Sequence, residues 1–409
     1  MSRSLWRHAD FLRLWAAQAV SAFGSRITRE GLPLAAVLTL DATPAQLGLL
    51  AALGYGPGLV VGLFAGGWAD RRRRRPLLIG SDLLRALLLM SIPLAAWSGQ
   101  LAMAQLYIVA ALVGAATVVF DIADHAYLPS LVDRDQLMDG NSKLGVTESV
   151  AEVGGPALAG VLFQILSAPF ALVVNAGTYL ASAAFLATIR RREAPPDPEP
   201  RGRHPFADLM TGLRAIAAQP LVRPLLAMTV AQGFFGAFFA ALYMLFAIQV
   251  LRIPPALLGL IIAMGGVGAL AGALLARLAS ARLGPGPAII AMGGAGALAL
   301  LLVPAAPRDP VAGPAFLIAA QLIGDAFMVA AIIPAVTLRQ SLFPPTILGR
   351  TSAVFHVAGG GVMVLGALAG GALGQRLGVR ETLWIGAVGV LLGPLIALMS
   401  PLRRLRSLT

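Results

Sequence analysis

Apolar residues run along this chain in blocks of about twenty, separated by short polar breaks. A helix that crosses bilayer hydrocarbon needs about 20 mostly apolar residues at about 1.5 Å each. That window predicts spans at Phe11–Leu40, Leu47–Ala69, Pro76–Trp97, Leu101–Ala126, Lys143–Leu166 and Pro169–Ile189. A second set follows at Leu221–Val250, Ala256–Ala279, Pro285–Pro304, Pro314–Gln340, Thr346–Gln375 and Thr382–Met399. Basic residues precede the first run, but Phe11–Leu40 is too long and too interrupted by charge for a cleaved leader, so it reads as a retained helix. Between the two sets, Glu193-Ala194-Pro195-Pro196-Asp197-Pro198-Glu199-Pro200 is an extended polar linker. After it, Phe206, Leu209, Met210, Leu213 and Ile216 recur at helical spacing, which predicts an amphipathic surface helix; a plain tether is the alternative. The expected organisation is a bundle over residues 1–190, a linker over 191–220 and a second bundle over 221–409.

Composition changes the picture only by naming the solvent. The 409 residues are 58% hydrophobic and 12% charged, with a mean hydropathy of +0.81, whereas soluble domains are about one-quarter charged. The fold class is therefore an all-α polytopic membrane protein. The net charge of +12 would suggest nucleic acid in a soluble chain. Here the arginines gather in alternate breaks, as topology determinants that also attract anionic membrane lipid: Arg71 to Arg75, Arg134 with Lys143, Arg190 to Arg192, Arg277 with Arg282, Arg339 with Arg350, and the tail. An even number of spans with both termini cytoplasmic follows. No nucleic-acid partner is expected.

The break between the second and third spans reads Gly66-Gly67-Trp68-Ala69-Asp70-Arg71-Arg72-Arg73-Arg74-Arg75-Pro76. Its pattern, Gly-x-x-x-Asp-Arg-x-x-Arg-Arg, resembles the signature loop of the major facilitator superfamily, with Arg73 where that family usually has glycine. Gly268 and Gly272 before Arg277 form a degraded second copy without the acid. Asp121 and Asp124, then Leu128-Pro129, Gly154-Gly155-Pro156 with Gly160, and Leu338-Arg339-Gln340 before Pro344-Pro345 and Gly349-Arg350 are similar to the drug- and siderophore-exporting branch, which includes macrolide effluxers. The resemblance implies two six-helix bundles around a substrate site, a cavity lined by the first, fourth, seventh and tenth helices, and alternating access. It also implies that Asp70 latches onto the start of the eleventh helix near Thr346 to Thr351, with Arg71 or Arg74 paired to Asp121 or Asp124. The Gly154, Gly155, Pro156 and Gly160 element resembles the motif associated with efflux. Physically it kinks a helix and lets a neighbour approach, and ordinary helix packing explains it equally well.

Charges inside the bilayer are costly and point to function. The first span carries Arg26, Arg29 and Glu30; Arg26 and Glu30 are four apart and can pair along one face, as a static ion pair or around a titrating acid. Asp325, near the middle of the tenth span, has no basic residue within a helical turn and is the favoured proton site; a hydrogen bond to Gln321 is the plainer reading. Glu148 and Glu152 share a face of the fifth span and need a wet cavity or a basic partner. Gln232 is a candidate substrate contact. Asp82 and Arg85 read as a structural pair. The aromatic row Phe234, Phe235, Phe238, Phe239 and Tyr243 suits either a greasy substrate wall or a lipid face.

The four histidines are scattered and there is no cysteine, so no metal site and no thiol chemistry is expected. No nucleophile, base and orienting group occur together, and there is no phosphate-binding glycine loop, so neither an enzyme nor an ATP-driven pump is expected, nor any cofactor. The expected protein is a monomeric plasma-membrane exporter of an amphipathic small molecule (drug, macrolide or siderophore-like) driven by protons. Uptake of a small solute is the alternative within the class, and a non-transporting receptor or scaffold the alternative outside it.

Overall fold

The computed structural model describes residues 5–69, 72–191, 193 and 205–407. Among them, all extended regular structure is helical. The first helices are α1 (Ala9–Leu40), α2 (Pro44–Ala69), α3 (Arg74–Trp97), α4 (Met103–Leu131), α5 (Leu137–Ile165) and α6 (Ala168–Thr188). A short helix α7 (Pro205–Ala218) precedes α8 (Arg223–Leu245), α9 (Pro255–Leu283), α10 (Pro285–Leu300) and the single turn α11 (Leu302–Ala305). Then come α12 (Ala312–Leu342), α13 (Pro345–Leu377), α14 (Val379–Val390) and α15 (Leu392–Leu398).

Ten segments among the described residues are long and apolar enough to cross a bilayer, α10–α11 and α14–α15 each counting as one. The helices α1 and α5 fall outside that set, although at 32 and 29 residues they exceed the length that about 30 Å of hydrocarbon requires. What they lack is an uncharged middle. Large apolar side chains such as Leu87, Ile165 and Leu274 stand outward and exposed, as lipid rather than water demands.

The helix ends correct the sequence in one place that matters. The fourth span does not stop near Asp124; α4 continues to Leu131 because Tyr127, Leu128 and Leu131 are buried. Asp121 and Asp124 therefore lie inside a helix rather than at its end.

The chain divides into two compact units, one of Met1–Ala42 with Leu53–Gly202, the other of Thr43–Ala52 with Arg203–Thr409. In the first, α1 and α3 both pack on α6, while α4 packs on α3 and α5 on α1. Gly24 lets α1 approach α6, where a methyl group would strike Thr178. There Asn175 Nδ2 donates to Thr28 Oγ1 at 2.6 Å. In the second unit, α9 lies on α12 with Gly268 and Gly272 against the carbonyls of Leu322 and Ala326. Phe234, Phe235 and Phe238 of α8 touch one another, Phe238 is buried, and Phe235 fills the space over Gly389 of α14. That part of the aromatic row is core packing.

The helix α7 lies along α13, with Ile216 buried, Gly212 against the backbone of Arg350, and Asp208 paired to Arg350 at 2.7 Å. Its other face exposes Phe206, Met210 and Leu213, the composition of a helix seated at a lipid surface.

Gly284 alone joins α9 to α10, at φ 85° and ψ 158°, a region essentially restricted to glycine. A Cβ there would also meet the backbone of Arg406. Gly284→Ala is expected to cost about 1–3 kcal/mol, seen as a lower melting temperature in detergent. Asp309 caps the start of α12, its carboxylate accepting from the N–H groups of Ala312 at 2.7 Å and Val311 at 2.9 Å. Those bonds hold its pKa below the ordinary carboxylate value. The folded value being the lower one, this support is complete above the unfolded pKa and is lost as pH falls through the folded value. Protection of the Val311 and Ala312 amides, taken relative to their intrinsic exchange rates at each pH, is expected to fall as the carboxylate is protonated, and Asp309→Asn to remove that pH dependence of the protection.

Candidate functional site

The charged middles of α1 and α5 meet. Arg29 Nη2 lies 3.2 Å from Glu152 Oε1, and Arg29 Nε lies 3.1 Å from Glu30 Oε1. Arg26 pairs with the other oxygen of Glu152. Two guanidinium groups and two carboxylates thus neutralise one another across two helices, while Arg29 and Glu152 stay partly exposed, 43% and 38%. Charges this far along a spanning helix require water or a polar ligand on their open side.

This corrects the pairing read from spacing alone. Arg26 was expected to hold Glu30 one turn away; instead Arg26 goes to Glu152 and Glu30 to Arg29. The acid from α5 reaches both arginines, a possibility that spacing within one helix cannot reveal. Glu152 finds in them the basic partner it needs, whereas Glu148, one turn away on α5, is exposed. The neighbouring glycines provide the clearance. A Cβ on Gly155 would collide with the Arg26 side chain, and one on Gly154 would press on Phe23. Pro156 and Gly160 are buried within an α5 that runs unbroken past both.

In the second unit Asp325 lies in the middle of α12, its carboxylate over Gly265 of α9 in the space a methyl group would take. The Gln321 amide carbon is near the same point. Further along α12, a cavity of about 110 Å³ opens between α8, α10, α12, α13 and the α14–α15 segment. Gln232 lines it and donates through Nε2 to Met328 Sδ at 2.8 Å. Arg339 lines it too, its guanidinium 4.5 Å from the centre of the Phe355 ring.

At one end of the first unit the arginine-rich turn is held differently from the expected pairing. The Glu193 carboxylate accepts the backbone N–H groups of Arg74 at 2.8 Å and Arg75 at 3.3 Å, and pairs with the Arg74 side chain at 3.4 Å. An anion at a helix N-terminus satisfies its free donors and its dipole. Asp124, half-buried inside α4, instead accepts from Gln18 of α1. The expected bond from Arg74 to Asp121 or Asp124 is therefore replaced by one to Glu193, a residue of the linker, because the acids of α4 stand well before the helix end. Asp70 and Arg71 lie outside the described residues, and Gly66 falls in the backbone of α2.

A sequence profile described as "Transmembrane secretion effector" matches residues 3–409. The chain belongs to that family of the major facilitator superfamily. This facilitator is 26% identical over 189 residues to an uncharacterized MFS-type transporter, YfiS, of Bacillus subtilis (strain 168), a match spanning 46% of this chain and 44% of the relative. Solved structures share its fold: a bacterial homologue of the iron transporter ferroportin in an inward-facing state (TM-score 0.76, 18% identity, covering 97% of this chain and 99% of that one). A bacterial homologue of the lysosomal transporter Spinster (TM-score 0.74, 14% identity, 97% and 98%) and the nucleoside transporter NupG (TM-score 0.75, 12% identity, 95% and 98%) are similar as well. The facilitator is thus a multi-pass membrane transporter by family and an all-α protein by fold.

Two of its residues were invisible as site candidates. Arg339, at the end of the tenth predicted span, reads as a topology determinant, yet it turns into the cavity. Glu193 sits in a proline-rich stretch, and only the fold brings it to α3.

Proposed function

We propose that this facilitator exports an amphipathic small molecule in exchange for protons, by alternating access of a site to the two sides of the plasma membrane. The observation that carries the reading is the set of acids within its spanning helices: Asp325 over Gly265, and Glu30 and Glu152 held by Arg29 and Arg26. Such acids are retained at a cost and serve ion or substrate passage by default. Asp325 is assigned the proton. Arg26, Arg29, Glu30, Glu148, Glu152 and Gln232 are assigned the polar wall that the substrate meets. Gly66, Asp70, Arg71 and Arg74 form the gating turn, held through Glu193, and Gly154, Gly155, Pro156 and Gly160 form the flexible part of α5.

Residues 1–190 and 221–409 act as the two moving bundles, joined by the linker, with both termini cytoplasmic and the chain a monomer. Everted vesicles loaded with an acidity dye test the reaction. Addition of an exported compound is expected to release protons from the vesicle interior and relieve quenching. Uptake symport would instead give no such release, and substrate would be gained by whole cells.

A further inference from the structure

We propose that the cavity beside Arg339 is a binding site for an amphipathic monoanion, a carboxylate carrying an aliphatic chain. The inference does not depend on the direction of transport, because the site is complete within the second unit and is tested by binding alone. Its wall is mostly apolar, formed by Met228, Ile289, Ile332 and their neighbours. At about 110 Å³ it is smaller than most small-molecule sites, roughly 300–1,000 Å³, and so admits only a slim ligand such as a single alkyl chain. Arg339 and Met328, both lining it, are eleven residues apart on α12, about 16 Å of helix. Two methionines, Met228 and Met328, give the apolar part an adaptable lining.

The polar groups are few and unequal. Thr229 spends its hydroxyl on the Leu225 carbonyl at 3.1 Å. Gln232 donates to a thioether sulfur, a weak acceptor. Arg339 Nε is buried without a hydrogen-bond partner, and among the described residues no acid forms an ion pair with this guanidinium. The Phe355 ring offers its face, which offsets only part of the cost of desolvating a cation. A planar guanidinium with an unpartnered Nε donor in the wall of a mostly apolar cavity is complementary to a carboxylate head with a hydrocarbon tail. A cationic amphiphile would place like charges together, and a neutral one would leave the arginine unmatched.

The test is saturable binding of radiolabelled dodecanoate to the purified protein in discs of neutral lipid, with dodecanol and dodecyltrimethylammonium as competitors. Dodecanoate is expected to bind about tenfold to a hundredfold more tightly than either competitor, the value of charged hydrogen bonds. Arg339→Gln is expected to remove that preference while leaving dodecanol binding unchanged, and Arg339→Lys to restore part of it. Equal binding of acid and alcohol by the wild-type protein would overturn the proposal even if the variants failed to fold. So would undiminished acid binding by a folded Arg339→Gln protein. A lysophospholipid of the same charge, run in parallel, identifies the source: tighter binding than dodecanoate marks a membrane lipid, weaker binding a free acid, and either result supports the site.

Discussion

Arg85→Leu is expected to destabilise the first unit by about 3–5 kcal/mol, the cost of leaving one member of a buried ion pair alone. Arg85 is 1% exposed and its partner Asp82 is fully buried. The guanidinium lies between the rings of Phe120 and Tyr179, 4.3 Å from each centre, and Nη2 reaches Ser21 at 3.4 Å. One side chain therefore connects α1, α3, α4 and α6. Without it the Asp82 carboxylate stays in an apolar interior and both rings face a void. Replacing both members by apolar residues of similar volume is expected to cost much less than either single change, because no charge is then orphaned. Denaturation in mixed micelles, followed for the single variants and the double variant, measures the difference. A single-variant loss under about 1 kcal/mol would show that the pair is solvated in a way its burial does not reveal.

Asp325→Asn is expected to abolish proton coupling, reducing substrate-dependent dye recovery in everted vesicles to that of vesicles without the protein. Asparagine keeps the shape beside Gly265 and still offers hydrogen bonds, so folding is expected to survive; only the exchangeable charge is lost. Gly265→Ala is the companion change. Its methyl group would land on the Asp325 carboxylate and push it from its seat on α9, so coupling is expected to fall although every acid remains. If Asp325→Asn retained full dye recovery, the proton would have to travel through Glu30, Glu148 or Glu152.

The spans, their approximate ends and their all-helical character were legible because lipid imposes one rule on every residue that faces it. What lay beyond that rule depended on partners from other helices. Glu30 and Arg26 are correctly spaced for each other, and only the arrival of Glu152 from α5 redistributes the bonds. Arg339 reads as a topology determinant because a cation ending an apolar run has the same sequence signature whether it turns outward to water or inward to a cavity. The hydropathy window ends the fourth span at Ala126, two residues past Asp124, yet Tyr127 and Leu131 carry the helix onward into a packed interior. Asp82 and Arg85 needed no foreign partner, being three apart on one helix, and their pairing follows from spacing alone.

The mutual neutralisation of α1 and α5 bears on biogenesis. A charged residue at the centre of a helix entering the bilayer through the insertion machinery is opposed by roughly 2.5–3.5 kcal/mol, and α1 presents Arg26, Arg29 and Glu30 while its main counter-charge, Glu152, has yet to be synthesised. The first helix is thus a poor passenger by itself and a good one as half of a pair. A nascent chain cut short before α5 would leave α1 unanchored, so the order of synthesis and the order of final embedding need not coincide.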